Sequence, residues 1–452
     1  MSDGGDRVGN GGDRMSGGRP ARRVAGQPTR PTADPPARPT ADLPARPARA
    51  PHAAAWALDP ATVFLNHGSF GACPRVVLEA QSALRAEMEA NPVAFLARAL
   101  EPRLDAARER LAELVGAAAA DLAFVPNATH GVATVLRSLR FAPGDELAAT
   151  DHEYNAALNM LRVAAARDGA RVVVARVPLP VDGPDEAAER ILAALGPRTR
   201  LLLVSHVTSP TGLVLPVERL VAEAEGRGVP VLVDGAHAPG MLPLDLAGTG
   251  ASYYAGNLHK WTCAPRGAAF LHVRRDRQAA IRPLAISHGA NDPRPGRSPF
   301  RREFDWTGTL DPTAYLVVPA ALEAVGALVA GGWPAVMARN AALAREARAR
   351  LVAAAGSRPL CPDAMLGSMA AVELPPDRGF ATRGPVDPDP LQARLLGELA
   401  IEVPIHSWPR DPGPGERRRR LLRISAHLHN DAAEYAYLAD GLRELLAEED
   451  RG

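Results

Sequence analysis

The stretch VLVDGAHAPG, residues 231–240, sets the frame for the rest of the chain. Three apolar residues, Val231, Leu232 and Val233, end on Asp234, and the turn that follows carries His237. So uniform an apolar run reads as a strand covered on both faces, as at the centre of a parallel sheet. A carboxylate at the end of such a strand needs a partner that offsets its desolvation. The next apolar run, ASYYAG at 251–256, leads into GNLHKW at 256–261. That segment delivers Asn257, His259 and Lys260 to the neighbouring strand end.

Lys260 is the only lysine in 452 residues; lysines and arginines together number 52, so 51 are arginines. The richness in Ala, Arg, Gly and Pro is that of a G+C-rich genome, in which lysine drifts to arginine wherever only positive charge matters. A guanidinium, with a pKa above ~12, is never free base in a protein, whereas a primary amine can be tuned to attack a carbonyl. A single retained lysine is therefore a candidate for imine chemistry, the plainer alternative being an incidental survivor.

Working outward, short β-branched runs alternate with helical periodicity. DLAFVPNAT leads into the helix HGVATVLRSLR, DELAAT precedes NAALNMLRVAAARDG, and ARVVVARVPL is followed by RLLLVSHVTSP. VERLVAEAEGRG precedes the opening stretch, and GAAFLHV closes the series. This alternation predicts an α/β fold with a mostly parallel sheet covered by helices, and ligands in such sheets sit at the carboxyl ends of the strands. Length favours one large and one smaller domain. The expected division is a Pro/Arg-rich, disordered leader over 1–55, an N-terminal segment with the large domain over 56–325, and a small C-terminal domain over 326–452. Two amphipathic helices, RVVLEAQSALRAEMEA and PRLDAARERLAELVG, open the globular part. The basic run ERRRR at 416–420 reads as a solvated loop.

A net charge of +1 gives no electrostatic reason to expect nucleic acid or an anionic membrane as partner. No apolar run approaches the ~20 residues of a membrane span. Cys73, Cys263 and Cys361 form no CxxC pair and no metal-ligand spacing, so they read as buried thiols in a reducing, cytoplasmic setting, and no metal is expected. No GxGxxG follows a strand and no GxxxxGK[ST] occurs, which weakens dinucleotide and P-loop assignments. At Asn127-Ala128-Thr129 a helix begins just after a strand. Its free N–H groups make a phosphate cradle, although the same residues also suit an ordinary N-cap.

Together, NAT, DGAHAPG and GNLHKW resemble the class V aminotransferase family of pyridoxal-phosphate enzymes of fold type I. FLNHGSFGACP near residue 64, NPVAFLAR and the C-terminal LRISAHLHN resemble its isopenicillin N epimerase-like branch. The resemblance covers about residues 56 to 446. It implies pyridoxal 5'-phosphate as cofactor, held by Lys260 as a Schiff base, with Asp234 on the pyridinium nitrogen and His237 on the phenolic oxygen. Ala128, Thr129, Asn257 and His259 are implied for the phosphate, although the related desulfurases carry Ser where Asn257 stands. Tyr154 of EYNAAL is implied to stack on the ring, with His152 as the fallback. Thr309 of WTGT is implied to reach the phosphate of a neighbouring subunit, so a homodimer with shared sites is expected. Arg423 is implied to clamp the α-carboxylate of a small amino-acid substrate, a task suited to a bidentate fork. Asn66 and His67 are expected at the substrate entrance.

The reaction is left open between several outcomes at one α-carbon. Epimerisation is favoured, and a carbon–sulfur β-lyase of the cysteine desulfhydrase or cysteine-conjugate sulfoxide lyase type is the runner-up. Transamination follows, then an inactive PLP-fold binding protein. The stretch before Arg423 contains no cysteine, which disfavours the persulfide chemistry of the desulfurases.

Overall fold

The computed structural model describes residues 44–380, 384, 387–413 and 415–451. Seven strands build the central sheet: β1 (Leu122–Val125), β2 (Glu146–Thr150), β3 (Arg171–Ala175), β4 (Thr199–Ser205), β5 (Val231–Gly235), β6 (Tyr253–Asn257) and β7 (Ala269–Val273). Their spatial order is β1-β7-β6-β5-β4-β2-β3. Strands β2 to β6 pair in parallel, and β7 runs antiparallel between β1 and β6.

The period of two along each strand sorts neighbouring side chains to opposite faces. After helices α1 (Arg75–Ala90) and α2 (Leu100–Val115) come α3 (Ala128–Ser138) and α4 (Asn155–Asp168), whose Val132, Val135, Leu158 and Leu161 form one apolar cluster with Leu201, Leu203 and Leu232. Leu202, Val204, Val231 and Val233 face the other, larger cluster. Burial on both faces explains why β5 reads as an unbroken apolar run ending at its one carboxylate.

A second, antiparallel sheet in the order β9-β10-β8 is formed by β8 (Met369–Leu374), β9 (Ile405–Trp408) and β10 (Arg419–Ser425). The fold is therefore the expected one: a mostly parallel, helix-covered sheet with a smaller α+β part toward the C-terminus. A two-residue parallel pairing of Val63–Phe64 with Ile401–Glu402 ties the N-terminal segment to that C-terminal part.

Two expectations change. The packed chain starts before Trp56: Arg46 donates to the carbonyls of Ala61 (2.8 Å) and Pro60 (2.7 Å), and Ala50 and Ala53 are buried. Residues 1–43 of the expected leader lie outside the described residues. Nor is ERRRR a solvated loop throughout. Its last two arginines begin β10, where Arg419 pairs with Glu373 (2.5 Å), and the Arg420 side chain is fully buried among carboxylates.

Candidate functional site

A cavity of about 500 Å³ opens over the carboxyl ends of β4, β5 and β6 and takes in Thr129, Tyr154, Ser205, Asp234, His237, Asn257, His259, Lys260 and Arg423. Most of the residues singled out from sequence therefore converge on one place. Parallel strands end on one side of the sheet, so residues far apart in the chain line up along it. In register, Ser205 of β4 stands beside Asp234 of β5, which stands beside Ala255 of β6.

The Lys260 side chain is half-buried, and its amine lies 3.0 Å from His237 Nε2. Burial, then the Arg423 guanidinium, bring its pKa down to about 7, with Asp234 pulling the other way. Near neutrality much of it is a free amine, the form a nucleophile requires. His237 is held well below the usual imidazole value, first by burial and then by Lys260. Trp261 donates its indole N–H to His237 Nδ1 (3.4 Å), which orients the ring. Asp234 accepts one hydrogen bond, from the Ala236 N–H (3.0 Å). Burial raises its pKa, opposed by that bond and by Lys260. Its other oxygen has no donor among the described residues.

At the start of α3, Asn127 caps the helix by accepting from the His130 N–H (2.8 Å), so the ordinary N-cap is present. The Ala128 N–H is not free for an anion, because it donates to Asn257 Oδ1 (2.8 Å). Asn257 thus fixes the helix end through its carbonyl oxygen and keeps its amide N–H₂ for other use. Thr129 presents an N–H and a hydroxyl without partners among the described residues. His259 contacts the Ala268 carbonyl at 3.3 Å, and burial, then Lys260, lower its pKa to about 4.

Arg423 sits on the middle strand of the small sheet, and among the described residues no carboxylate pairs with it. It donates to the Ser209 carbonyl (2.6 Å) and to Ser69 Oγ (2.9 Å), and its buried Nε has no partner. Burial lowers its pKa to about 10. A buried cation so incompletely satisfied is costly unless an anion completes it.

Besides Ala128, two positions, Asn66 and His67, differ from expectation. Asn66 lies outside the cavity wall; its Oδ1 accepts from Ser69 Oγ (2.5 Å) and its Nδ2 donates to Glu402 (3.3 Å), so it acts on Arg423 through Ser69. His67 is buried behind Lys260, contacting the Lys260 carbonyl (2.9 Å) and His429 Nε2 (3.1 Å) and stacking on His427 at 4.3 Å. It belongs to the packing that supports the lysine, not to an entrance. Gly71 shows how tight that packing is: its φ is +70°, and a Cβ there would sit 1.8 Å from the His259 carbonyl. His152 has both ring nitrogens engaged, with Thr211 and the Val177 carbonyl (2.8 Å each), and stays out of the cavity. Thr309 is exposed and lies outside the cavity of its own chain.

Sequence reasoning missed Ser69, Ser205, Ser209 and Glu153. Single serines carry no spacing signal. Glu153 is buried and accepts from Thr150 Oγ (2.8 Å) and from the N–H of Ser205 (3.1 Å), its other oxygen lying 2.5 Å from Ser205 Oγ. Burial, with a smaller contribution from Asp234, raises its pKa to about 7.

The residues fit a phosphorylated pyridine aldehyde. The cavity has the volume of a cofactor site. A helix start that offers the Thr129 N–H and hydroxyl, a carboxylate oxygen without a donor among the described residues and an amine of lowered pKa line it together. This fold with this site defines a pyridoxal 5'-phosphate-dependent enzyme of fold type I. Residues 63–373 match the aminotransferase class-V family model, and the chain belongs to that family. An isopenicillin N epimerase from Amycolatopsis lactamdurans is 40% identical over 414 residues, 87% of this chain and 99% of the relative. A chain from Oryza sativa subsp. japonica that bears a provisional L-cysteine desulfhydrase name is 33% identical over 412 residues, 85% and 83% of the two chains. Among solved structures, the complex between the cystine C–S lyase C-DES and its reaction product cysteine persulfide has a TM-score of 0.69 at 25% identity, covering 85% of this chain and 97% of that one. Among the described residues no helix is long and apolar enough to cross a membrane.

Proposed function

We propose that this enzyme epimerises the α-carbon of an amino acid, with Lys260 carrying the cofactor and moving the α-proton. The observation that carries the assignment is the likeness to isopenicillin N epimerase, 40% identity over nearly the whole relative, against 33% for the desulfhydrase-type chain. The cavity argues against the persulfide chemistry of desulfurases by lacking a thiol: Cys263 is fully buried behind Lys260 against His427, and burial raises its pKa well above the usual value. A sulfur-accepting cysteine is thus missing from the cavity wall among the described residues.

Bound pyridoxal 5'-phosphate supplies an electron sink for the pair left on the α-carbon when its proton departs. The chain supplies the rest. The Thr129 N–H and hydroxyl, with His259 and the Asn257 amide, hold the phosphate; Asp234 pairs with the ring nitrogen; His237 bonds the phenolic oxygen; Tyr154 covers the ring. Arg423, held by Ser69 and Ser209, takes the α-carboxylate and thereby fixes which substituent faces Lys260. Thr309, exposed on its own subunit, reaches the phosphate of a partner in a homodimer. A fully active monomer in sedimentation at assay concentration would rule out that shared site.

Carbon–sulfur β-elimination is the second possibility, supported by the desulfhydrase-type relative and the likeness to the C–S lyase. Incubation with isopenicillin N, L-cysteine and a panel of simple L-amino acids in deuterated water separates the two. Inversion with deuterium at the α-carbon is the expected result, whereas pyruvate release without inversion would replace epimerisation by elimination.

A further inference from the structure

Inverting an α-carbon requires a proton to leave on one side and another to arrive from the opposite side. Lys260 serves one side. Most other cavity groups with exchangeable protons are already committed: His237 to the Lys260 amine, Ser69 and Ser209 to Arg423, and Ser205 to Glu153. Thr129 and His259 sit at the phosphate end.

Tyr154 differs. It occupies the N-cap position of α4, yet its side chain makes no cap bond. It lines the cavity at 49% exposure, and its hydroxyl has no hydrogen-bond partner among the described residues. Its place in the sheet is equally telling. Lys260 follows β6 and Tyr154 follows β2, and the order β6-β5-β4-β2 puts Asp234 and Ser205 between them. Three strand spacings of ~4.8 Å separate the two ends by roughly 14 Å along the sheet. A group pinned at Asp234 therefore lies between the chain segments that carry the amine and the phenol. The Arg423 guanidinium, whose electrostatic surroundings include the phenol, brings the substrate's carboxylate to the same region.

We propose that Tyr154 is the second proton carrier of the epimerisation, delivering its phenolic proton to the face of the α-carbon opposite Lys260. This rests on the epimerase assignment above. The C–H bond breaks with its proton going to Lys260 Nζ, and the pair left behind forms the new C–H bond with the proton of the Tyr154 O–H. An ammonium and a phenolate remain. Water, which reaches the half-exposed phenol, returns one proton to it while the amine releases one, so each turnover closes without an added reagent.

The test is Tyr154→Phe in the holoenzyme, with substrate in deuterated water, stereochemistry and exchange being measured separately. Removing an acid–base group costs roughly 10²–10⁴-fold. Inversion should fall by at least about a hundredfold, while exchange of the proton facing Lys260 persists with retention of configuration. Titration of the cofactor-free variant with pyridoxal 5'-phosphate should give an unchanged affinity, because phenylalanine still covers the ring; Tyr154→Ala should weaken it. Inversion at the wild-type rate in Tyr154→Phe, or exchange and inversion falling together with cofactor affinity, would overturn the proposal. A wild-type enzyme that never inverts any substrate overturns the epimerase assignment itself, an outcome visible before any variant is made.

Discussion

Strand β10 carries two buried arginines three residues apart, and their surroundings could hardly differ more. Arg420 is clamped bidentately by Asp389 (2.6 and 2.8 Å) and bonded by Glu449 (2.7 Å), so burial, which opposes the charge, is more than offset. Arg423, on the opposite face, meets only serine oxygens, and burial wins: its pKa falls to about 10. Both guanidiniums are equally hidden from water, but only one has its anions supplied by the chain. A buried cation with carboxylate partners holds structure together. One lacking them is held in readiness for an anion from outside.

The largest effect that would break this contrast is Lys260→Arg, which gives the cavity a permanent cation of the Arg420 kind. Activity should fall at least about a thousandfold, and the purified protein should lack the absorbance of lysine-bound cofactor while keeping its circular dichroism. Retained absorbance would show that another group holds the cofactor.

Arg420→Met should instead strike stability. It takes the guanidinium away from buried Asp389 and half-buried Glu449, a loss of about 3–5 kcal/mol in denaturant unfolding. Turnover per folded, cofactor-loaded molecule should stay near wild type.

Arg423→Met is the converse. Losing charge-assisted hydrogen bonds to a carboxylate costs about 1.5–3 kcal/mol each, so kcat/KM should drop roughly tenfold to a few hundredfold, mostly through KM. Thermal stability should hold or rise, since an incompletely satisfied cation is removed. A fall in stability matching that of Arg420→Met would dissolve the distinction.

The amine adds a pH test. In the cofactor-free protein the Lys260 pKa is lowered to about 7 from its ordinary 10.5, so the reactive free amine is lost as pH falls through 7 and nearly complete above 8. The rate of pyridoxal 5'-phosphate capture should decline about tenfold between pH 8 and pH 6. A flat profile would place the amine outside this environment.

Ser69→Ala is the smallest change. It removes the hydroxyl that accepts from Arg423 and donates to Asn66, while Arg423 keeps its charge and its bond to the Ser209 carbonyl, so KM should rise several-fold, about 1 kcal/mol, with kcat little altered.

How much of this was legible beforehand can be judged residue by residue. Lys260 announced itself by being the sole lysine, and Asp234 by ending an apolar strand. Both signals are local, because the chemistry of an amine and the cost of a buried carboxylate do not depend on the rest of the chain. The strand–helix alternation likewise sufficed for a helix-covered, mostly parallel sheet. The antiparallel turn of GAAFLHV into β7 was not readable, since strand direction depends on pairing and not on pattern. Arg419 and Arg420 looked like solvent-exposed charge until Glu373, Asp389 and Glu449 appeared beside them. His67 looked like an entrance residue but packs behind the lysine.

The sequence by itself determined the reactive groups and the order of the elements that carry them, because side-chain chemistry and hydrophobic period are written residue by residue. Only the tertiary structure decided which charges are answered within the chain and which are left open. That distinction rests on partners far away in sequence, such as Ser69 for Arg423 and Asp389 for Arg420, brought within hydrogen-bond reach by folding. It also brought Tyr154, after β2, and Lys260, after β6, to the wall of one cavity, since strand order is fixed by packing the sheet and not by the order of residues in the chain.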